Sequence, residues 1–141
     1  MSKKSRSEAN RVAMAIKANK SEYYISDVDL EDNYNDVLAA GKSVRKILGK
    51  VDANFLLISA GTKNLNICVD AKDISEDWLK ASISNINTDK ELTVEDGVAS
   101  ISIEIECPFK LKDVVRASAF AFLRKQNLLE EESEEEEYFD F

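Results

Sequence analysis

Residues 54–70 read NFLLISAGTKNLNICVD, and their reading decides the fold. Asn54 to Ala60 is a short apolar run and reads as a buried strand. Gly61-Thr62-Lys63-Asn64 is turn chemistry, and Leu65 to Asp70 is a second strand, so the two form a hairpin. Upstream, a helix is expected from about Glu31 to Leu48, with Tyr34, Val37, Leu38, Gly41, Val44 and Leu48 as its stripe and Gly49 closing it. Acids at Asp27, Asp29 and Asp32 precede it, as suits a helix N-terminus. Tyr23-Tyr24-Ile25 reads as a brief extended piece. A first helix is expected from Ser7, with Ala9, Val12, Ala13 and Ile16 on one face, and residues 1–6 read as a disordered basic arm.

Downstream, Asp73 stands three residues before Glu76, a capping arrangement for a helix carrying Trp78, Leu79 and Ile83. Glu91 to Val94 reads as a short strand, and Asp96-Gly97 is a hairpin turn. Val98 to Cys107 alternates Ile101, Ile103 and Ile105 with Ser100, Ser102 and Glu104, which predicts a strand with one wet face. Pro108 ends it. A last helix from about Lys110 to Gln126 places Leu111, Val114, Val115, Ala119 and Phe122 on one stripe. The predicted order is ααββαββα. That order implies an α+β two-layer sandwich, with an antiparallel sheet of about four strands and helices on one face. Residues 7–129 form the single domain of this reading, and 130–141 a disordered acidic tail.

Composition removes several function classes. The chain of 141 residues has no histidine, so triads, general bases and zinc sites that need one are excluded. Two cysteines, Cys68 and Cys107, are too few for a disulfide framework and point to a reducing, cytoplasmic setting. Each reads as a small core hydrophobe, with a redox pair as the minor alternative. No run of apolar residues is long enough to span a membrane, and no charged-then-apolar leader is present. Asp27, Asp29, Glu31 and Asp32 fail the calcium-loop pattern, since the sixth position is Asp32 and the twelfth is Leu38. Gly61-Thr62-Lys63 lacks the spacing of a phosphate-binding loop. No catalytic residue, metal site or cofactor is expected.

Charge is the informative property. The net charge is −8, yet the last twelve residues alone hold seven Glu and Asp140 with no base, leaving residues 1–129 neutral. The opposite end is basic: Lys3, Lys4, Arg6, Arg11, Lys17 and Lys20 face only Glu8 within residues 1–20. Like-charge blocks of this kind serve as interaction arms. Aromatics beside cations suit single-stranded nucleic acid, which needs charge for phosphates and a π face for bases. Tyr23 and Tyr24 adjoin the basic segment, and Arg45 and Lys46 add to it. Phe120 lies nearly opposite the core stripe of the last helix. It is expected to point away from that stripe, under a fold that covers both faces of the helix, as a self-association surface, or as a ligand platform.

The tail Glu130–Glu137 runs into Tyr138-Phe139-Asp140-Phe141. Exposed aromatics behind an acidic run fit a hydrophobic pocket with a basic rim on a partner protein. This ending resembles the acidic, aromatic-ending tails of bacterial and phage single-stranded DNA-binding proteins. The resemblance implies recruitment of replication and repair proteins, and competition with DNA for a basic surface. It does not extend to the OB barrel of that family, because helix-period segments fill too much of residues 1–129. Residues 54–126, with Trp78-Leu79-Lys80-Ala81-Ser82 and Ala117–Leu123, are similar to the C-terminal domain of alanyl-tRNA synthetases. The Gly-rich segment of that domain corresponds here to Asn87–Gly97, in which Gly97 is the only glycine.

The expectation is therefore a non-enzymatic nucleic-acid-binding accessory protein, favouring single-stranded DNA. Lys3, Lys4, Arg6, Arg11, Lys17, Lys20, Tyr23, Tyr24, Arg45 and Lys46 would contact the strand. Tyr138, Phe139, Asp140 and Phe141 would dock a partner. The alternative is a protein–protein adaptor or inhibitor whose acidic tail docks on a basic surface of its partner without nucleic-acid contact, which the neutral body favours.

Overall fold

The computed structural model describes residues 2–20 and 22–128. Four helices and five strands follow in the order α1 (Lys3–Asn19), β1 (Tyr23–Asp27), α2 (Tyr34–Leu48), β2 (Asn54–Ala60), β3 (Asn64–Asp70), α3 (Ser75–Ser82), β4 (Thr93–Glu95), β5 (Val98–Glu104) and α4 (Pro108–Lys125). The chain is α+β, and its sheet is open, not a barrel, with strand order β1-β2-β3-β5-β4. The β2–β3 hairpin is present as expected, with Leu57 opposite Cys68 and Ile58 opposite Ile67. β5 continues the antiparallel pairing on β3, and β4 closes on β5 through Asp96 and Gly97, both at positive φ.

Tyr23-Tyr24-Ile25 is more than a brief extended piece. It opens β1, which pairs in parallel with β2 from Tyr23↔Asn54 to Asp27↔Ile58, making the sheet mixed and five-stranded. The intervening α2 supplies the crossover that parallel pairing requires.

Helices cover both faces, in place of the single helical layer expected. Leu56, Ile58, Leu65, Ile67, Val69, Ala99, Ile101 and Ile103 form one core with Trp78, Leu79, Val115, Ala119 and Leu123 of α3 and α4. Phe55, Leu57 and Cys68 form a second core with Ala9, Val12, Ala13 and Ile16 of α1 and Val37, Ala40, Val44 and Leu48 of α2. Alternate residues of β2 belong to opposite cores. A central strand that is apolar on both sides needs cover on both sides, and that sets three layers. Gly41 lets α2 approach β3 closely, since a Cβ there would lie 2.9 Å from Cys68 Sγ.

Local boundaries shift for identifiable reasons. α1 begins at Lys3, not Ser7, because the Ser2 hydroxyl accepts the Ser5 N–H and caps it. Residues 3–6 are thus helical where a disordered arm was expected. α2 is capped by Asn33, whose side chain accepts the Asp36 N–H. The Asp73–Glu76 capping arrangement does not form. α3 starts at Ser75 without a side-chain cap, and the Ser75 hydroxyl instead accepts the Ala71 N–H and lies within reach of the Ala71 and Gly97 carbonyls, to one of which it donates. Cys107 lies beyond the end of β5 while Cys68 faces Ser100 in mid-sheet, so no redox pair forms and both thiols are free. Phe120 is half-buried against the α3–α4 core and does not point away from it. α4 is gripped by the sheet and by α3, where Trp78 Nε1 donates to the Ala119 carbonyl at 3.2 Å.

Candidate nucleic-acid interface

The orientation of the helices organises the charge. Near its start α1 meets the loop after β1, with Lys4 Nζ 3.2 Å from Asp29. It then returns to Tyr23. α4 runs the same way: Lys112 and Arg116 reach Asp27 at 3.2 and 3.1 Å. Ala119 lies by Trp78, whose ring meets Tyr23 edge-on at 5.9 Å. α2 ends beside Ala53, whose carbonyl accepts from Arg45. The three long helices therefore begin at the Asp27 end of the sheet and finish at the Tyr23 end.

At the finishing end, Lys17, Arg45, Lys46, Arg124 and Lys125 occupy last turns. Cations there answer the negative end of each helix macrodipole, worth about 0.3–1 kcal/mol apiece. At the starting end the logic reverses. α1 has no acid in its first turn and carries Lys3, Lys4 and Arg6 against its own dipole. Lys4 is compensated by Asp29 and Glu31, which raise its pKa. Lys3 and Arg6 are exposed and make no ion pair among the described residues.

The expected interface residues divide accordingly. Arg11 bonds Glu8 at 2.9 Å and the Asp27 carbonyl at 2.7 Å, so it fastens α1 to β1. Glu8 in turn accepts the Asp29 N–H, and its carboxyl is held below the ordinary range, chiefly by Arg11. Arg45 bonds Asp70 at 3.1 Å and lies 5.1 Å from the Phe55 ring centre. Tyr23 and Tyr24 face opposite cores and present no shared aromatic surface. Lys3, Arg6, Lys17, Lys20 and Lys46 remain exposed and free of ion pairs among the described residues. Lys42, which the sequence reading missed, joins them one helical turn before Lys46. The i, i+4 spacing on the far side of the α2 stripe was its available signal. Lys3, Arg6 and Lys17 share one stripe of α1.

In the α1–α2 layer the only helical acids are Glu8, paired with Arg11, and Asp36, which accepts from the Ser2 hydroxyl, against eight helical cations. The layer thus exposes a surplus of cations. Beside it, α2 and the β3–β5–β4 strands enclose a groove of about 340 Å³, with Leu38, Cys68 and Val98 against Lys42, Arg45, Asp70 and Glu95. Among the described residues, no group of three or more Cys, Asp or Glu can hold a metal ion. No described helix is long and apolar enough to cross a membrane. The acidic cluster before α2 has another use: Asp32 accepts the N–H groups of Lys63 and Asn64 and the Thr62 hydroxyl. Tyr138, Phe139, Asp140 and Phe141 lie outside the described residues.

Fold and charge together define an open, three-layer α+β chain with a cationic helical face. No protein-family model matches it, and no curated protein matches it.

Proposed function

We propose that the protein is a non-enzymatic accessory factor that binds single-stranded nucleic acid on its α1–α2 face, while the acidic segment Glu130–Phe141 engages partner proteins and limits non-specific binding. One observation supports the reading. The only acids of the two helices are paired with Arg11 and with the Ser2 hydroxyl, whereas Lys3, Arg6, Lys17, Lys42 and Lys46 are free of ion pairs among the described residues, and two of these cations stand against the α1 dipole. Phosphates are the ligands that such a surplus recruits. The tail resemblance supports the same reading.

A salt titration of the full chain against a labelled single-stranded oligonucleotide tests it. Binding is expected to weaken steeply with salt, and removal of residues 130–141 is expected to raise affinity and abolish partner binding. Affinity unchanged by salt and by the deletion would remove the reading. The adaptor alternative draws on the groove beside α2, whose apolar floor and mixed charges suit a peptide. An adaptor would not be retained on single-stranded DNA at moderate salt.

A further inference from the structure

Binding of a flexible strand needs a π face as well as charge, and the fold disposes of nearly all its aromatics. Phe55 and Trp78 are fully buried, Tyr23 and Phe122 pack on the α3–α4 core, and Tyr24 packs on the α1–α2 core. The Tyr34 hydroxyl is paired with Ser100 at 2.7 Å. Phe109 alone among the described aromatics is largely exposed, at 66%. It stands in the first turn of α4, in the helical layer across the sheet from α1, but at the same Asp27 end where α1 begins with Lys3 and Arg6. Its ring is held by Lys112, whose Nζ lies 4.2 Å from the ring centre and 3.2 Å from Asp27. Lys110 is exposed next to it.

We infer that Phe109 is a stacking platform for a base of single-stranded nucleic acid, fixed from beneath by Lys112 and flanked by Lys110. The inference rests on the function proposed above and gives it a residue. Apart from its contact with Lys112, the phenyl ring stays largely in water, and a base covering it removes apolar surface from water. Stacking of this kind tolerates any base sequence.

The test is anisotropy of a labelled oligothymidylate with the full chain and with Phe109→Leu, Phe109→Ala and Phe109→Trp. Leu and Ala should weaken binding about ten-fold, consistent with the loss of one base stack. Trp should retain affinity and show fluorescence quenching beyond that of the parent chain. The dependence on salt should stay unchanged in all three, because every cation that meets a phosphate is still present. Equal affinity of the parent chain and Phe109→Leu would overturn the platform while leaving the proposed function standing. Absence of binding by the parent chain would overturn both. Unchanged thermal unfolding of the variants separates a binding effect from a folding one.

Discussion

The carboxylate of Asp32 occupies the space that a side chain on Gly61 would need. A Cβ at Gly61 would run into Oδ1 and would lie 2.6 Å from the Asp32 backbone nitrogen. The same oxygen accepts Asn64 N–H at 2.8 Å and Lys63 N–H at 3.0 Å, while the other accepts Thr62 Oγ1 at 2.8 Å. The chain before α2 is thus stapled to the β2–β3 turn. Gly61 is needed there for space, since its conformation is one that other residues adopt. Gly61→Ala should lower unfolding free energy by about 1–3 kcal/mol, as overpacking against backbone does. Urea unfolding followed by circular dichroism measures it, and a stability equal to the parent would contradict the staple.

Stability should fall on the acid side, and the direction follows from two carboxylates. The amides of Lys63 and Asn64 hold Asp32 below its ordinary pKa, and the Arg11 bond does the same for Glu8. A carboxyl depressed in the folded state stabilises above its unfolded pKa, and that contribution disappears as pH drops through the folded value. The urea midpoint should therefore fall below about pH 4, near the ordinary carboxylate range. Asp32→Asn should be less stable at neutral pH and show a shallower decline on acidification. Parallel profiles for the two proteins would refute this assignment.

The two thiols should behave oppositely. Cys68 is buried beneath α2, and desolvation pushes its thiol up to about 12, so little thiolate exists at neutral pH. Cys107 is exposed just before α4. Titration of the native chain with a chromogenic disulfide reagent should show a single rapid thiol, with the second appearing only on unfolding. Two rapid thiols would mean that the α2–β3 packing opens readily.

Binding and stability should separate within the basic set. Lys17→Glu with Lys46→Glu should weaken oligonucleotide binding and make it less salt-dependent, the slope falling by about one unit for each phosphate no longer neutralised. Arg45→Ala should act on the fold instead, costing about 1 kcal/mol through its half-buried pair with Asp70 and its place over Phe55. A fully stable Arg45→Ala chain with impaired binding would return Arg45 to the interface.

Local pattern reached far in this chain. The run Asn54–Ala60 matches β2, the two turns fall where Gly61–Asn64 and Asp96-Gly97 predict them, and the apolar stripes of α1 and α2 are buried largely as read, whereas of the α4 stripe only Val115 and Ala119 are fully buried, joined by Leu123. These features depend on residues near one another along the chain, whose period and turn chemistry carry the information. The third layer was legible in part. Phe55 and Leu57 alternate with Leu56 and Ile58, and a strand apolar on both sides asks for two covers, but periodicity does not say which helix lies over which face. Parallel pairing of β1 with β2 joins residues about thirty apart, and no local pattern encodes a partner at that distance. The same holds for the site. Sequence revealed that cations were abundant near Arg11 and Arg45, whereas tertiary structure decided that Glu8, Asp27 and Asp70 would consume those two. It also left Lys42 and Phe109 to solvent, because whether a charge or ring is spent within the fold depends on neighbours that only the folded chain brings together.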